Sequence, residues 1–181
     1  GLKLKKDAKQ NTALTSNFFN NHKLSKKHFS FIEKKKIAIP IRPRDYIELH
    51  RELNGNYYEL HLSYKDVNSF NKNSIKKKFI KDKHFSIHAP DYIDENNILD
   101  LFSKNNIIRK KSHLLLKKCI KICKYIETIT QVQSKLVISI SGYNSEISKE
   151  VFYMKVLSFI KKIKKNENIQ ILPQWLPVYA W

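Results

Sequence analysis

The sequence predicts an α/β fold built on a parallel sheet, and three observations predict it. From Lys35 onward, short apolar runs alternate with longer helical patterns. The runs at 37–41 and 136–140 are nearly continuous in apolar residues, which suits strands buried under helices rather than strands with a wet face. Finally, Phe85, Ser86, Ile87 and His88 run into Ala89 and Pro90. A histidine thus stands where a strand opens into a loop, the edge at which α/β folds gather ligands.

The elements follow in order. Residues 37–41 read as a buried strand. Residues 43–53 read as a helix, with Pro43 in its first turn and Asn54-Gly55 closing it. Residues 57–63 form a second strand, a lysine-rich connection spans 73–81, and 84–88 form a third strand. Residues 91–110 are polar with apolar islands at Ile98, Leu99, Leu101 and Phe102, as in a substrate-side loop with a short helix. Ser112 caps an amphipathic helix to about 128, with Leu115, Cys119, Ile122 and Ile126 facing inward. A fourth strand covers 136–140 and ends at Ser141-Gly142. A helix at 146–165 carries an apolar stripe of Val151, Met154, Leu157 and Ile160. Glu146 and Glu150 sit in its first turn and lysines in its last. Residues 169–172 form a fifth strand.

Composition narrows the partners. The 181 residues carry 35 Lys+Arg against 16 Asp+Glu, a net charge of +19. That balance suits nucleic acid, an anionic membrane or a phosphorylated ligand. The cations are nearly all lysine, with arginine at 42, 44, 51 and 109. Arginine reads phosphate and guanine bidentately, so its scarcity argues against nucleic acid and for a solvated lysine surface. Cys119 and Cys123 lie four apart on one helix face and read as packing residues, which fits a reducing cytoplasm. No apolar run approaches the roughly 20 residues of a membrane helix, so no membrane partner is expected.

Two stretches carry family resemblances. Lys6-Asp7-Ala8-Lys9 and Leu14-Thr15 resemble the SAF (antifreeze-like) module that follows the barrel of sialic acid synthases, with Asn11 where the family has a turn glycine. Asparagine also tolerates positive φ. A basic tail is the alternative for residues 1–34. The His88-Ala89-Pro90 strand end resembles that of the xylose isomerase-like TIM barrels, while Leu60-His61-Leu62-Ser63-Tyr64-Lys65-Asp66 resembles a stretch of barrels fused behind sialic acid synthase-like modules and Ile41-Arg42-Pro43-Arg44-Asp45-Tyr46 resembles the start of that same barrel. That superfamily holds sugar-phosphate isomerases and epimerases and endonuclease IV-type repair enzymes. The resemblance implies a partial (β/α)8 barrel over 35–181, its first four to five units, since a whole barrel takes about 250 residues. The chain reads as a fragment, or one half of a longer polypeptide. A complete flavodoxin-like domain, strand order 2-1-3-4-5, is the structural alternative.

The site follows from both sources. Glu59 and His61 are two apart on one strand and share a side. With His88 on the next strand they form an acid/base cluster suited to proton transfer beside a sugar carbonyl. An internally hydrogen-bonded, inert pair is the alternative. Arg42 and Lys65 stand at strand ends and suit a carboxylate or phosphate; Gln174 and Trp175 suit a sugar ring. Metal-dependent members of the superfamily carry a His-Pro-Gly strand end and then a glutamate. Here those places read Ile140-Ser141-Gly142 and Leu172-Pro173-Gln174-Trp175, so one of three expected ligands is present. Metal use stays open, and no metal ligand is assigned. The reading is a cytoplasmic isomerase or epimerase acting on a sugar or sugar phosphate, linked to sialic (nonulosonic) acid biosynthesis. A basic polyanion-binding domain, including a degenerate endonuclease IV-like barrel, is the second reading.

Overall fold

The computed structural model describes residues 34–53, 55–72, 75, 80–141 and 147–175. The SAF-like stretch and Glu146 lie outside the described residues. Among the described residues there are five strands: β1 (Ile39–Ile41), β2 (Tyr57–His61), β3 (His84–His88), β4 (Lys135–Ile140) and β5 (Gln170–Trp175). Between them run α1 (Tyr46–Leu53), α2 (Tyr64–Asn68), α3 (Asn106–Thr130) and α4 (Lys149–Glu167). All neighbouring strands pair parallel, in the order β1-β2-β3-β4-β5. The flavodoxin-like order is therefore ruled out.

This order has a geometric consequence. Each crossover steps one strand in the same direction, and parallel crossovers are right-handed, so every helix falls on one face. Burial alternates accordingly. Tyr58, Leu60, Phe85, Ile87, Leu136, Ile138 and Ile171 are sealed under the helices. Tyr57, Glu59, His61, Ser86 and His88, on the other side of the same strands, are only half-buried. Parallel sheets are ordinarily covered on both faces. Among the described residues, no helix covers this second face.

Local chemistry sets the element ends. β2 stops at His61 because Ser63 caps α2. Its hydroxyl accepts from Asp66 N, and the Asp66 carboxylate accepts from Ser63 N, a capping box that ends the strand two residues before its predicted limit. α3 begins six residues before the predicted Ser112. Asn105 is the N-cap, its side chain accepting from Ile107 N and Ile108 N. Ser112 is buried inside the helix, and its hydroxyl accepts from Asp100 N at 2.9 Å. The inward set Leu115, Cys119, Ile122 and Ile126 is buried as the periodicity predicts. β5 continues through Pro173 to Trp175, past its predicted end. Proline lacks a donor but is tolerated at a sheet margin.

α4 corrects the predicted stripe. Val151, Met154 and Leu157 are exposed, and the helix buries Phe152 and Val156 instead, with Phe159, Ile160 and Ile163 partly buried. Both stripes satisfy helical spacing. The larger ring wins: Phe152 packs edge-on against Phe102 and near Trp175, with centroids 5.4 and 6.2 Å away. At the other end of the sheet, Tyr46 of α1 packs on Tyr58 and Phe85, at 5.3 and 5.7 Å. Gly55 allows the turn between α1 and β2 to close against β1, since a Cβ there would meet Ile39 Cδ1 at 2.7 Å.

Candidate functional site

The uncovered face of the sheet is where the titratable side chains collect. β2 and β3 pair in register, Tyr57 with His84, Glu59 with Ser86 and His61 with His88. Parallel neighbours stand about 4.8 Å apart, so flat side chains on opposed positions stack. The His61 and His88 rings lie 4.7 Å apart and 6° from parallel, at the carboxyl edge. Tyr57 and His84 stack at 4.8 Å and 13° at the amino edge. Between them Glu59 faces Ser86.

Each histidine of the upper pair is held by a second group. His61 Nε2 lies 2.6 Å from Glu59 Oε1, both side chains being about one-third exposed. When His61 is neutral, its Nε2–H donates to the carboxylate and its Nδ1 keeps the lone pair. This is the carboxylate–imidazole arrangement that orients a general base. Ser86 Oγ donates weakly to the other Glu59 oxygen, at 3.4 Å. His88 Nδ1 donates to the Ala89 carbonyl at 2.9 Å, while its Nε2 meets the Gln174 side-chain amide at 2.7 Å. Gln174 reaches from β5 across β4. Its amide turns an NH2 to a neutral His88 and its oxygen to a charged one, since Nδ1 already spends its proton.

The loop after β3 is pinned over the same edge. Ser139, buried on β4, donates to Asp91 Oδ1 at 2.6 Å, and Ser141 Oγ donates to the Leu99 carbonyl at 2.5 Å. A cleft of about 350 Å³ opens beside it, lined by Arg42 after β1, Leu62–Tyr64 after β2 and Pro90–Tyr92 after β3. Asp94 and Glu95 also line it. Hydrogen bonds from Asn97 and Asn96 hold the Asp94 carboxyl down at about 2, with Lys111 adding to them against partial desolvation.

The structure sorts the predicted site residues. It brings Glu59, His61, His88 and Gln174 together on the uncovered face. Arg42 lines the neighbouring cleft, among acidic groups rather than in an anion pocket. Lys65 is exposed: its ammonium lies over the Tyr64 ring and 3.5 Å from Glu95, and both neighbours raise its pKa. Trp175 points to the helix side, against Tyr153 at 4.8 Å, because strand alternation sends it opposite to Gln174. Ser86 and the Ser139–Asp91 pair are members that sequence reasoning missed. Ser86 was within reach of it, lying midway between His84 and His88 at the strand period.

The donors do not fit a metal. His61 Nε2 is engaged by Glu59 and His88 Nε2 by a neutral amide, and parallel stacked rings do not aim their lone pairs at one point. Among the described residues, no three His, Cys, Asp or Glu side chains converge on such a site. What the cluster offers is proton transfer by two imidazoles, one oriented by a carboxylate and one by an amide. No family model, curated protein or solved structure matches this chain.

Proposed function

We propose that the five strands are successive β/α units of a xylose isomerase-like barrel, and that the uncovered face is its interior. The reaction is isomerisation or epimerisation of a sugar or sugar phosphate by proton transfer. One observation carries this reading: a consecutively ordered parallel sheet with its helices on one face presents Glu59, His61 and His88 together at its carboxyl edge. A barrel closes such a sheet on itself, helices outside, and does its chemistry at that edge. His61 Nδ1 takes the proton from the carbon beside the carbonyl, with Glu59 holding the ring. His88, in its charged form, donates Nε2–H to the carbonyl oxygen in place of the Gln174 amide oxygen as the enediol forms, and the His61 proton returns to carbon to complete the product. The SAF-like stretch and the 60–66 motif are the grounds for linking the reaction to nonulosonic acid biosynthesis, in the cytoplasm. The polyanion-binding alternative rests on net charge, and the acidic cleft beside the histidines gives it no support at this edge.

The test is NMR titration of the imidazole signals with aldose and ketose phosphates, with free phosphate and unphosphorylated sugars as controls. Shifts centred on His61 and His88, abolished by His88→Ala, are expected. Sugar-induced shifts confined to residues on the helix side, or none with any sugar, overturn the reading.

A further inference from the structure

The outer helical layer, on the opposite side of the sheet from His61 and His88, has a composition the proposed chemistry does not use. Nine large hydrophobic residues are exposed among the described residues, and seven of them lie on α3, α4 or the end of β5. That concentration makes a patch rather than scattered exposure. Met154 is 65% exposed, Leu114 58% and Ile107 67%.

Their placement excludes the simplest cover. Met154 lies two positions from both Phe152 and Val156, the two buried residues of α4. At 3.6 residues per turn it stands on the far side of the helix from the core. A further β/α unit beside β5 would lie alongside α4, in the same layer, and leave this far side bare. α3 and α4 run side by side in one direction: His113 packs on Phe159, and further along both helices Lys124 meets Glu167 Oε2 at 2.5 Å. Both helices present exposed apolar residues in their first halves, Ile107 and Leu114 on α3 and Val151, Met154 and Leu157 on α4, with exposed Lys110 and Lys155 among them. Both present exposed lysines afterwards, Lys117 and Lys121 beside Lys161, Lys162 and Lys165. None of these five lysines has an ion-pair partner among the described residues.

We propose that the outer face of α3 and α4 docks on a bilayer surface carrying anionic lipid. Apolar side chains enter the headgroup boundary while lysines answer the negative surface, the pattern of interfacial helices. The chain's net charge of +19 favours the same partner. Lipid is favoured over an acidic protein because the exposed cations of this face are lysines: α4 carries no arginine, and Arg109 of α3 is engaged by the Ser103 carbonyl and the Asn106 side chain. A defined carboxylate partner suits the guanidinium fork, whereas lysine suits a diffuse field of headgroups. No described helix is long and apolar enough to cross a membrane, so the contact is peripheral. It departs from the expectation of no membrane partner, which rested on spanning segments. The inference does not rest on the proposed reaction, since it uses the other face of the sheet.

The test sediments the full chain with vesicles of phosphatidylcholine alone, or with about a third phosphatidylglycerol. Pelleting with the anionic vesicles alone is expected, weakened by salt. Two variants, Met154→Asp/Leu157→Asp and Lys161→Gln/Lys162→Gln/Lys165→Gln, should each bind at least about tenfold more weakly while keeping the native circular dichroism. A polarity-sensitive dye on Met154→Cys should shift to the blue on binding. No pelleting, equal pelleting with both vesicles, or a folded aspartate variant that binds as tightly as the parent overturns the proposal. So does a lipid-free dimer abolished by Met154→Asp, which would assign the face to a second copy.

Discussion

The two faces of the sheet are built from alternate residues of the same strands and behave as two different materials. On the helix side, Tyr58, Leu60, Ile87, Leu136 and Ile138 are wholly excluded from water. On the other side, Glu59, His61, Ser86 and His88 remain half-wet, with His61 and Ser86 bonded to Glu59 and His88 stacked on His61. Backbone, twist and pairing are shared. What differs is burial, so one face supplies stability and the other is free to carry groups that a packed core rejects. The packed core and the polar cluster can therefore be altered separately, one residue at a time.

The largest test of that separation is truncation in β4. Leu136→Ala should cost about 2–5 kcal/mol by denaturant unfolding, the range for a fully buried leucine. Its neighbour Val137→Ala, on the uncovered face, should cost under about 1.5 kcal/mol. Equal costs would mean that the second face is as tightly packed as the first.

The thiols sharpen the contrast next. Burial pushes Cys119 and Cys123 up to about 12, from an ordinary value of 9.0. About a thousandfold less thiolate is then present near pH 8 than in the unfolded chain. Alkylation by iodoacetamide should be negligible in the native protein and rapid in denaturant. Fast native labelling would show that the α3 side opens readily.

A smaller effect is pH-dependent. Burial, with Lys83 adding, lowers the pKa of His50 below 6.5, and its Nδ1 lies 2.9 Å from the buried Tyr58 hydroxyl. The unfolded state then binds the proton more tightly than the folded one, so stability rises with pH through this window. Acidification below 6.5 should destabilise the parent more than His50→Gln, as read from denaturant midpoints at several pH values. Identical pH profiles for the two would refute it.

The smallest effects belong to the uncovered face. His88→Ala and Gln174→Ala should change stability by no more than about 0.5 kcal/mol, as partly exposed sites away from the core do. A loss of several kcal/mol in either would make the cluster a structural network and not a site.

The sequence by itself determined the kind of fold and half of the cluster. Alternation of strand and helix signals, and the strand period placing Glu59 and His61 on one side, are written within a few residues and survive any packing. It also placed His88 at a strand end, because proline two residues later lacks the N–H that a central strand such as β3 needs and is confined to sheet margins such as β1 and β5. The tertiary structure alone decided the rest. Stacking of His61 on His88 depends on the register between two strands joined by a long connection. The Gln174 contact joins residues 86 apart in the chain. On α4 two apolar stripes met the helical period equally well, and the choice fell to the ring of Phe102 waiting in the adjacent loop. Trp175 and Gln174 were assigned together from sequence, yet once β5 extended through Pro173 they had to face opposite sides. Local period is a property of neighbours along the chain. Register, and the choice between equivalent faces, are settled by burial energy summed over partners that meet only when the chain has folded.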